Sequence, residues 1–328
     1  MRDKNVLPPT LETALAKDDK VTALLKKLAY IFQPSYNIKR FTLLSDHRAS
    51  LIQVINPPIY LISILPGICV WLFNPHLMSV QLLILATFAV VLLQHGINLH
   101  NDVTDWHRGT DPDKFLSWAR YYDGNTYPLM QQTWISLIAG ALLGLYALYS
   151  AQRLEILLLA TPLVIAGYLY NAESRPLSYT RFGEWVTAIC YGPGVFGCLW
   201  WLSADQVSMQ MVAGGIFGSL AFAGLAAAIL LSHQPPQIET DAAVNKVSYA
   251  VRHGKNKTYR MSRRMFLLFG IGLISLNLIN NVSQSAIIVL VAGLVAALFF
   301  LFKSTPCPPK VLIPATLMIG INGLLQLS

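Results

Sequence analysis

The chain has 328 residues, 54% of them hydrophobic and only 12% charged, with a mean hydropathy of +0.50; a soluble protein carries about twice that charge. This excludes a soluble globular enzyme and implies a polytopic membrane protein. The net charge of +8 follows from where Lys and Arg sit relative to a membrane, and needs no nucleic acid partner.

The first element is a basic arm, residues 1–48, in which Lys17, Lys20, Lys26 and Lys27 mix with Leu24, Leu25 and Leu28. It lacks the apolar stretch of a signal peptide. Such a segment either lies on anionic headgroups or is a solvated tail that fixes topology. Apolar runs able to cross a hydrocarbon layer of about 30 Å then follow at 50–73, 76–100, 129–150, 154–171, 183–203, 208–232, 262–281, 283–303 and 309–328. The expected fold of residues 49–328 is all-α: a bundle of about nine transmembrane helices around a central cavity. With the N-terminus in the cytoplasm, Arg153 is the one residue among the 24 Lys and Arg on the far side, as cytoplasmic enrichment of positive charge requires. A multi-pass protein with cytoplasmic Asp-rich loops results, in the cytoplasmic membrane if the cell is bacterial.

The second run ends in Asn98-Leu-His-Asn-Asp-Val-Thr-Asp-Trp-His-Arg-Gly-Thr-Asp111. Asn98, Asn101, Asp102 and Asp105 fall within about 100° of helix circumference, with Gln94 a turn behind. A lone Asp at a helix end is ordinarily a solvated boundary residue; four oxygen-bearing side chains on one stripe point to a bound cation. Asp111 lies beyond the helix, where solvation competes with that role, and Arg108 is equally a topology determinant or a ligand. The fourth run ends in Tyr170-Asn-Ala-Glu-Ser-Arg175-Pro-Leu-Ser-Tyr179, whose two tyrosines flank a polar loop and are candidates for lining a site. After the sixth run comes His233-Gln-Pro-Pro-Gln237-Ile-Glu239-Thr-Asp241, then Asn245-Lys246 and Arg252-His-Gly254. Pro235 and Pro236 suit a first helical turn, on which Gln237 and Asp241 share a face and Glu239 points elsewhere.

Mg²⁺ takes carboxylate, carbonyl and water oxygens and is commonly completed by substrate phosphates. Lys246, Arg252 and Arg175 can bind the remaining phosphate oxygens. His95, His100 and His107 do not share a helix face, so a histidine-bound metal is not expected. Cys69, Cys190, Cys198 and Cys307 show no paired spacing and read as packing residues. Trp200, Trp201, Tyr146 and Tyr149 are expected in an interfacial belt. Gly192-Pro193-Gly194 and Pro57-Pro58 suggest kinks or close helix approach within spans. The two long inward connections, 102–128 and 233–261, lie four helices apart, as in an internal duplication.

Asn101-Asp102-x-x-Asp105 resembles the first motif of the UbiA superfamily of intramembrane prenyltransferases. Asn98-Leu-x-Asn-Asp-x-x-Asp with Gly109-Thr-Asp111 is most similar to the 1,4-dihydroxy-2-naphthoate prenyltransferases, including the plant and cyanobacterial phytyltransferase type. Ser174-Arg-Pro-Leu-Ser-Tyr179 with Gly183-Glu184, and Asp241-x-x-x-Asn-Lys-x-Ser-x-Ala-Val-Arg252-x-Gly254, extend the resemblance across residues 50–328. The chain departs from the pattern at three points: Gln237 leads the second motif in place of Asp, Asn245 replaces a glycine, and the last acid of the first motif is displaced to Asp111.

The resemblance implies transfer of a polyprenyl or phytyl group from its diphosphate to an aromatic acceptor such as dihydroxynaphthoate, in quinone biosynthesis. Mg²⁺ would be held by Asp102, Asp105 and Asp241, with Asn98, Asn101, Asp111, Gln237 and Glu239 beside it. Arg175, Lys246 and Arg252 would take the diphosphate, and Tyr170 and Tyr179 would line the cavity. The partners implied are an isoprenyl diphosphate, an aromatic acceptor and membrane lipid. The alternative is a catalytically divergent UbiA-like lipid-binding or transport protein, which is expected to show polar residues near mid-membrane from both sides.

Overall fold

The computed structural model describes residues 51–74, 77–109, 117–171, 176–280 and 283–327. The expected basic arm, Asp111 and Arg175 lie outside them. Among the described residues the chain is helical, and seven helices are long and apolar enough to cross a membrane. They are α2 (Val80–Arg108), α3 (Tyr127–Ser150), α5 (Gly183–Ser203), α6 (Met209–His233), α7 (Lys255–Ile279), α8 (Gln284–Lys303) and α9 (Pro308–Leu327). Two shorter apolar helices, α1 (Leu61–Phe73) and α4 (Leu157–Leu169), lie within the first and fourth expected spans, and α1 fills only the second half of its run.

Two pairings form the frame: α2 with α3, and α6 with α7. Both use reciprocal glycines. A methyl on Gly96 would lie 3.0 Å from the Thr133 carbonyl, and one on Gly140 2.9 Å from that of Ala89. In the second pair, a Cβ on Gly224 would lie 2.7 Å from the Met265 carbonyl and one on Gly272 2.7 Å from that of Phe217. Without a hydrophobic drive between helices in lipid, such small residues let backbones touch and dispersion forces act. The pairs stand four helices apart and flank the two polar connections.

Helix α5 changes winding. Residues Cys190–Gly197 form a π-helix with Pro193 inside it. Proline lacks the amide that an α-helix requires, and the wider turn absorbs the defect. Gly192 then sits against α6, where a Cβ would meet the Ser219 carbonyl at 2.5 Å. Pro57 and Pro58 play a different part from the one expected. They lie in a 3₁₀ turn, Pro57–Tyr60, after Asn56 in left-handed conformation, so they start α1 and do not kink a span.

At one end of the bundle Met78 N donates to Ser203 O at 2.8 Å, Arg153 Nη2 to Ala204 O at 2.9 Å and Asn280 Nδ2 to Phe73 O at 2.7 Å. The short connections therefore gather together. Trp200 corrects one expectation: it is 1% exposed and donates from Nε1 to Met211 O at 2.8 Å, so it belongs to the core, whereas Tyr146 and Tyr149 are exposed. The bundle also holds an amide chain in which Gln326 Nε2 donates to Asn277 Oδ1 and Asn322 Oδ1, at 3.0 and 2.9 Å. Polar side chains inside the bundle are not confined to the acid-bearing end.

Candidate active site

Helix α2 begins at Ser79, whose side chain accepts from Leu82 N, and ends at Gly109, left-handed at φ 67 with His107 and Arg108 in the last turn. Serine caps, a left-handed glycine stop and terminal cations all favour these boundaries. The helix therefore runs past the apolar layer, and its last two turns carry the acids as an ordered face. Gln94, Asp102 and Asp105 are buried.

Each acid is held by a different element. Asp102 Oδ2 accepts from Trp118 N at 2.9 Å, at the start of the short helix Trp118–Tyr121. Asp105 Oδ2 accepts from Asn101 Nδ2 at 2.9 Å, one turn back, and its Oδ1 from the Tyr179 hydroxyl at 3.1 Å. Among the described residues Asn98 Nδ2, a buried atom, has no hydrogen-bond partner.

Tyr179 arrives there because α4 is fastened to α2. Thr104 Oγ1 donates to Asn171 O at 2.7 Å, Asn171 Nδ2 donates to Ile97 O at 3.0 Å, and His100 stacks on Tyr168 at 4.8 Å. The chain then turns through Leu177–Tyr179 and brings the phenol to Asp105. Tyr170 is half-buried at the end of α4, where its carbonyl accepts from Ser178 N at 3.0 Å.

The second motif leaves α6 through the 3₁₀ turn Pro235–Gln237 into Ile238–Ala243, as the paired prolines predict. Asp241 is fully buried and Glu239 is exposed. Asn245 adopts φ 58. That left-handed conformation suits glycine, and Asn is among the few residues that also enter it, so the replacement keeps the turn. Lys246 Nζ then lies 3.3 Å from Asp241 Oδ1, and Gly254, at φ 77 and ψ 166, ends the segment where only glycine fits comfortably.

The two motifs meet on Tyr179. Its hydroxyl binds Asp105, its carbonyl accepts from Val247 N at 2.9 Å, and its ring lies 5.4 Å from Lys246 Nζ and 4.6 Å from the Arg108 guanidinium. Cations over an aromatic face are attracted by its quadrupole. The structure thus brings together Asp105, Tyr179, Lys246 and Asp241 of the expected residues. Gln237 is half-buried nearby in sequence, and Arg252 turns to Glu184, 3.5 Å away.

Glu184, which the motif pattern includes without a ligand role, anchors the second motif. It is 8% exposed; Oε1 accepts from Gln234 Nε2 at 2.8 Å and from Tyr249 N at 2.6 Å. Gln234 Oε1 in turn accepts from Ala250 N at 3.3 Å, and Ser248 caps Val251 N. The first three amides of Tyr249–His253 are all satisfied by side chains. Among the described residues no three His, Cys, Asp or Glu form a ready metal cluster.

Residues 60–306 match the UbiA prenyltransferase family. The chain belongs to that family. It is 31% identical over 195 residues to 1,4-dihydroxy-2-naphthoate octaprenyltransferase of Mycobacterium tuberculosis, covering 57% of this chain and 63% of that one. It is 26% identical over 240 residues to the chloroplastic 2-carboxy-1,4-naphthoquinone phytyltransferase of Arabidopsis thaliana, covering 68% and 62%. The chain thus spans less than two thirds of either relative. Its fold is similar to a UbiA homolog from Archaeoglobus fulgidus solved bound to DMAPP and Mg²⁺, with a TM-score of 0.57 and 16% identity over 85% of this chain and 98% of that one.

Proposed function

We propose that this UbiA protein transfers an isoprenyl or phytyl group from its diphosphate to a dihydroxynaphthoate-type ring, with Mg²⁺, at a site on the cytoplasmic side of the membrane. The observation that carries the reading is the junction at Tyr179, where Asp105 of one motif and the Lys246–Asp241 pair of the other share one side chain. The naphthoate substrates in the relatives' names and the DMAPP and Mg²⁺ bound to the archaeal homolog support it.

The residues fit magnesium. Asp102 and Asp105 offer buried carboxylates on one helix face and Asn98 a carboxamide oxygen, and such hard oxygens suit an ion that binds through one or two carboxylates and completes its shell with phosphate. When bound, Mg²⁺ supplies charge that stabilises the departing diphosphate. Lys246 and Arg108, both over Tyr179, add fixed positive charge at the same place, where preorganised groups act without reorientation. The Tyr179 hydroxyl and Asn101 amide orient Asp105. The apolar bundle excludes water from the allylic carbon until a ring carbon forms the new bond.

The test is turnover of the purified full chain in lipid with Mg²⁺, isoprenyl diphosphates of several lengths and 1,4-dihydroxy-2-naphthoate, with products read by mass. Prenylated ring is expected, and Asp105→Asn, which keeps an acceptor for Tyr179 but removes the charge, should abolish it while staying folded. Undiminished transfer by that variant, or by protein stripped with a chelator, overturns the proposal.

A further inference from the structure

The stripe that carries the acids continues toward the middle of α2. His95 lies seven residues before Asp102, two turns and roughly 10 Å along the helix on the same face. Asn98 lies between them. None of the steps above uses His95, yet it is held with care. Its Nδ1 is 2.6 Å from the Tyr60 hydroxyl, and its ring meets the Trp118 ring edge-on at 5.9 Å. The preceding residue fixes the same turn, since Gln94 Nε2 donates to Ile59 O at 2.9 Å.

We infer that Tyr60, His95, Asn98 and Trp118 form the binding site for the hydroxylated aromatic acceptor, with the Tyr60–His95 pair hydrogen-bonding a ring hydroxyl. The inference deepens the proposed function and rests on it for the identity of the reaction. Three features support it.

The first is hydrogen-bond arithmetic. If Tyr60 donates to Nδ1, the pair keeps an Nε2 donor and a phenol-oxygen acceptor; if Nδ1 donates to Tyr60, it keeps an Nε2 acceptor and a phenol donor. In both forms one donor and one acceptor remain, on opposite sides of the imidazole, and a ring hydroxyl can bond to either. Asn98 Nδ2, buried without a partner among the described residues, offers a further donor between this pair and Asp102.

The second is shape. Tyr60 and His95 centroids lie 5.9 Å apart at 44°, and His95 and Trp118 cross at 73°. Tyr60 and His95 are half-buried, so part of each ring is left to meet a planar guest by stacking or edge contacts. An aliphatic lipid gains nothing from the polar pair among them.

The third is the connection to the acids. Trp118 touches His95 with its ring and binds Asp102 Oδ2 with its backbone amide. One residue therefore sets the distance between the aromatic box and the end where a diphosphate would sit. The allylic carbon is one bond from the diphosphate oxygen, so a ring that must meet it belongs within those two helical turns. A hydrogen bond accepted from the ring hydroxyl would also raise electron density on the ring carbon that attacks.

The experiment measures binding of 1,4-dihydroxy-2-naphthoate to the full chain in lipid nanodiscs by equilibrium dialysis, for the parent, His95→Phe and Tyr60→Phe. Acceptor and prenyl diphosphate KM values are measured beside it. His95→Phe should weaken ring binding about tenfold or more, as loss of a buried hydrogen bond does. Tyr60→Phe keeps the packed ring and should shift binding in the same direction by less. The acceptor KM should rise in both, with the prenyl diphosphate KM moving by less than about twofold, because uniform loss of ring binding acts on KM for that substrate alone. Unchanged ring binding in both variants, an equal rise in both KM values, or no ring binding by the parent overturns the inference. Ring binding through His95 in a chain that transfers nothing would sink the proposed reaction and leave this site standing.

Discussion

Removing the Glu184 carboxylate should loosen the second motif without touching the metal ligands. The side chain is 8% exposed and accepts three hydrogen bonds, from Gln234 Nε2, Tyr249 N and Arg252 Nη2. In Glu184→Ala the Gln234 and Tyr249 donors lose their acceptor. A buried donor left unsatisfied costs about 1–3 kcal/mol. Arg252, whose side chain is 28% exposed, recovers water and adds less than about 1 kcal/mol. The expected loss is thus about 3 kcal/mol, most of it from the two enclosed donors. Glu184→Gln keeps an acceptor for Tyr249 N and should cost about 1 kcal/mol; Arg252→Ala should cost no more. The assay is the midpoint of unfolding by SDS for the three variants in one detergent. An order in which Arg252→Ala is as damaging as Glu184→Ala, or a Glu184→Ala midpoint equal to the parent's, would refute the reasoning. Prenyl diphosphate KM should follow the same order, because Lys246 and Asp241 lie on the segment that Glu184 anchors.

Tyr179→Phe retains the ring beneath Arg108 and Lys246 but removes the hydroxyl from Asp105. It should lower kcat/KM for prenyl diphosphate about tenfold, the worth of one hydrogen bond to a charged group, whereas Tyr179→Leu should lose more; equal effects would deny the ring a role. Gly224→Val should destabilise by about 1–3 kcal/mol through overpacking, since a Cβ there meets the Met265 carbonyl at 2.7 Å and Phe269 N at 2.9 Å. Gly320→Ala, with nothing within 4 Å of the new atom, should leave the SDS midpoint unchanged, and similar losses at both glycines would contradict the close-approach argument.

The helices were legible because transfer of apolar runs into lipid is a property of composition. α3, α5, α6 and α8 begin and end within two residues of the expected runs. α2 and α7 extend further, to Arg108 and from Lys255, because a helix persists beyond the apolar layer wherever caps or solvated charges permit it. Trp200 was misplaced because an aromatic near a span end can face lipid headgroup or core, and only Gly214 and Gly215, whose Cβ positions contact its ring, make room for it inside.

Chemical type was also fixed locally. Asn98, Asn101, Asp102 and Asp105 share a face because 3.6 residues make a turn, whatever surrounds the helix. Asn245 could be seen to replace a glycine, but that it preserves the turn was decided by its φ of 58. Which residue joins the motifs is a matter of distance across three helices, and no local pattern encodes it. The meeting of Asp105, Tyr179 and Lys246 depends on α4 being tied to α2 through Asn171 and Thr104. The pairing of Tyr60 with His95 depends on a turn 35 residues away in sequence. Periodicity places side chains on a face, while packing between helices determines what that face meets.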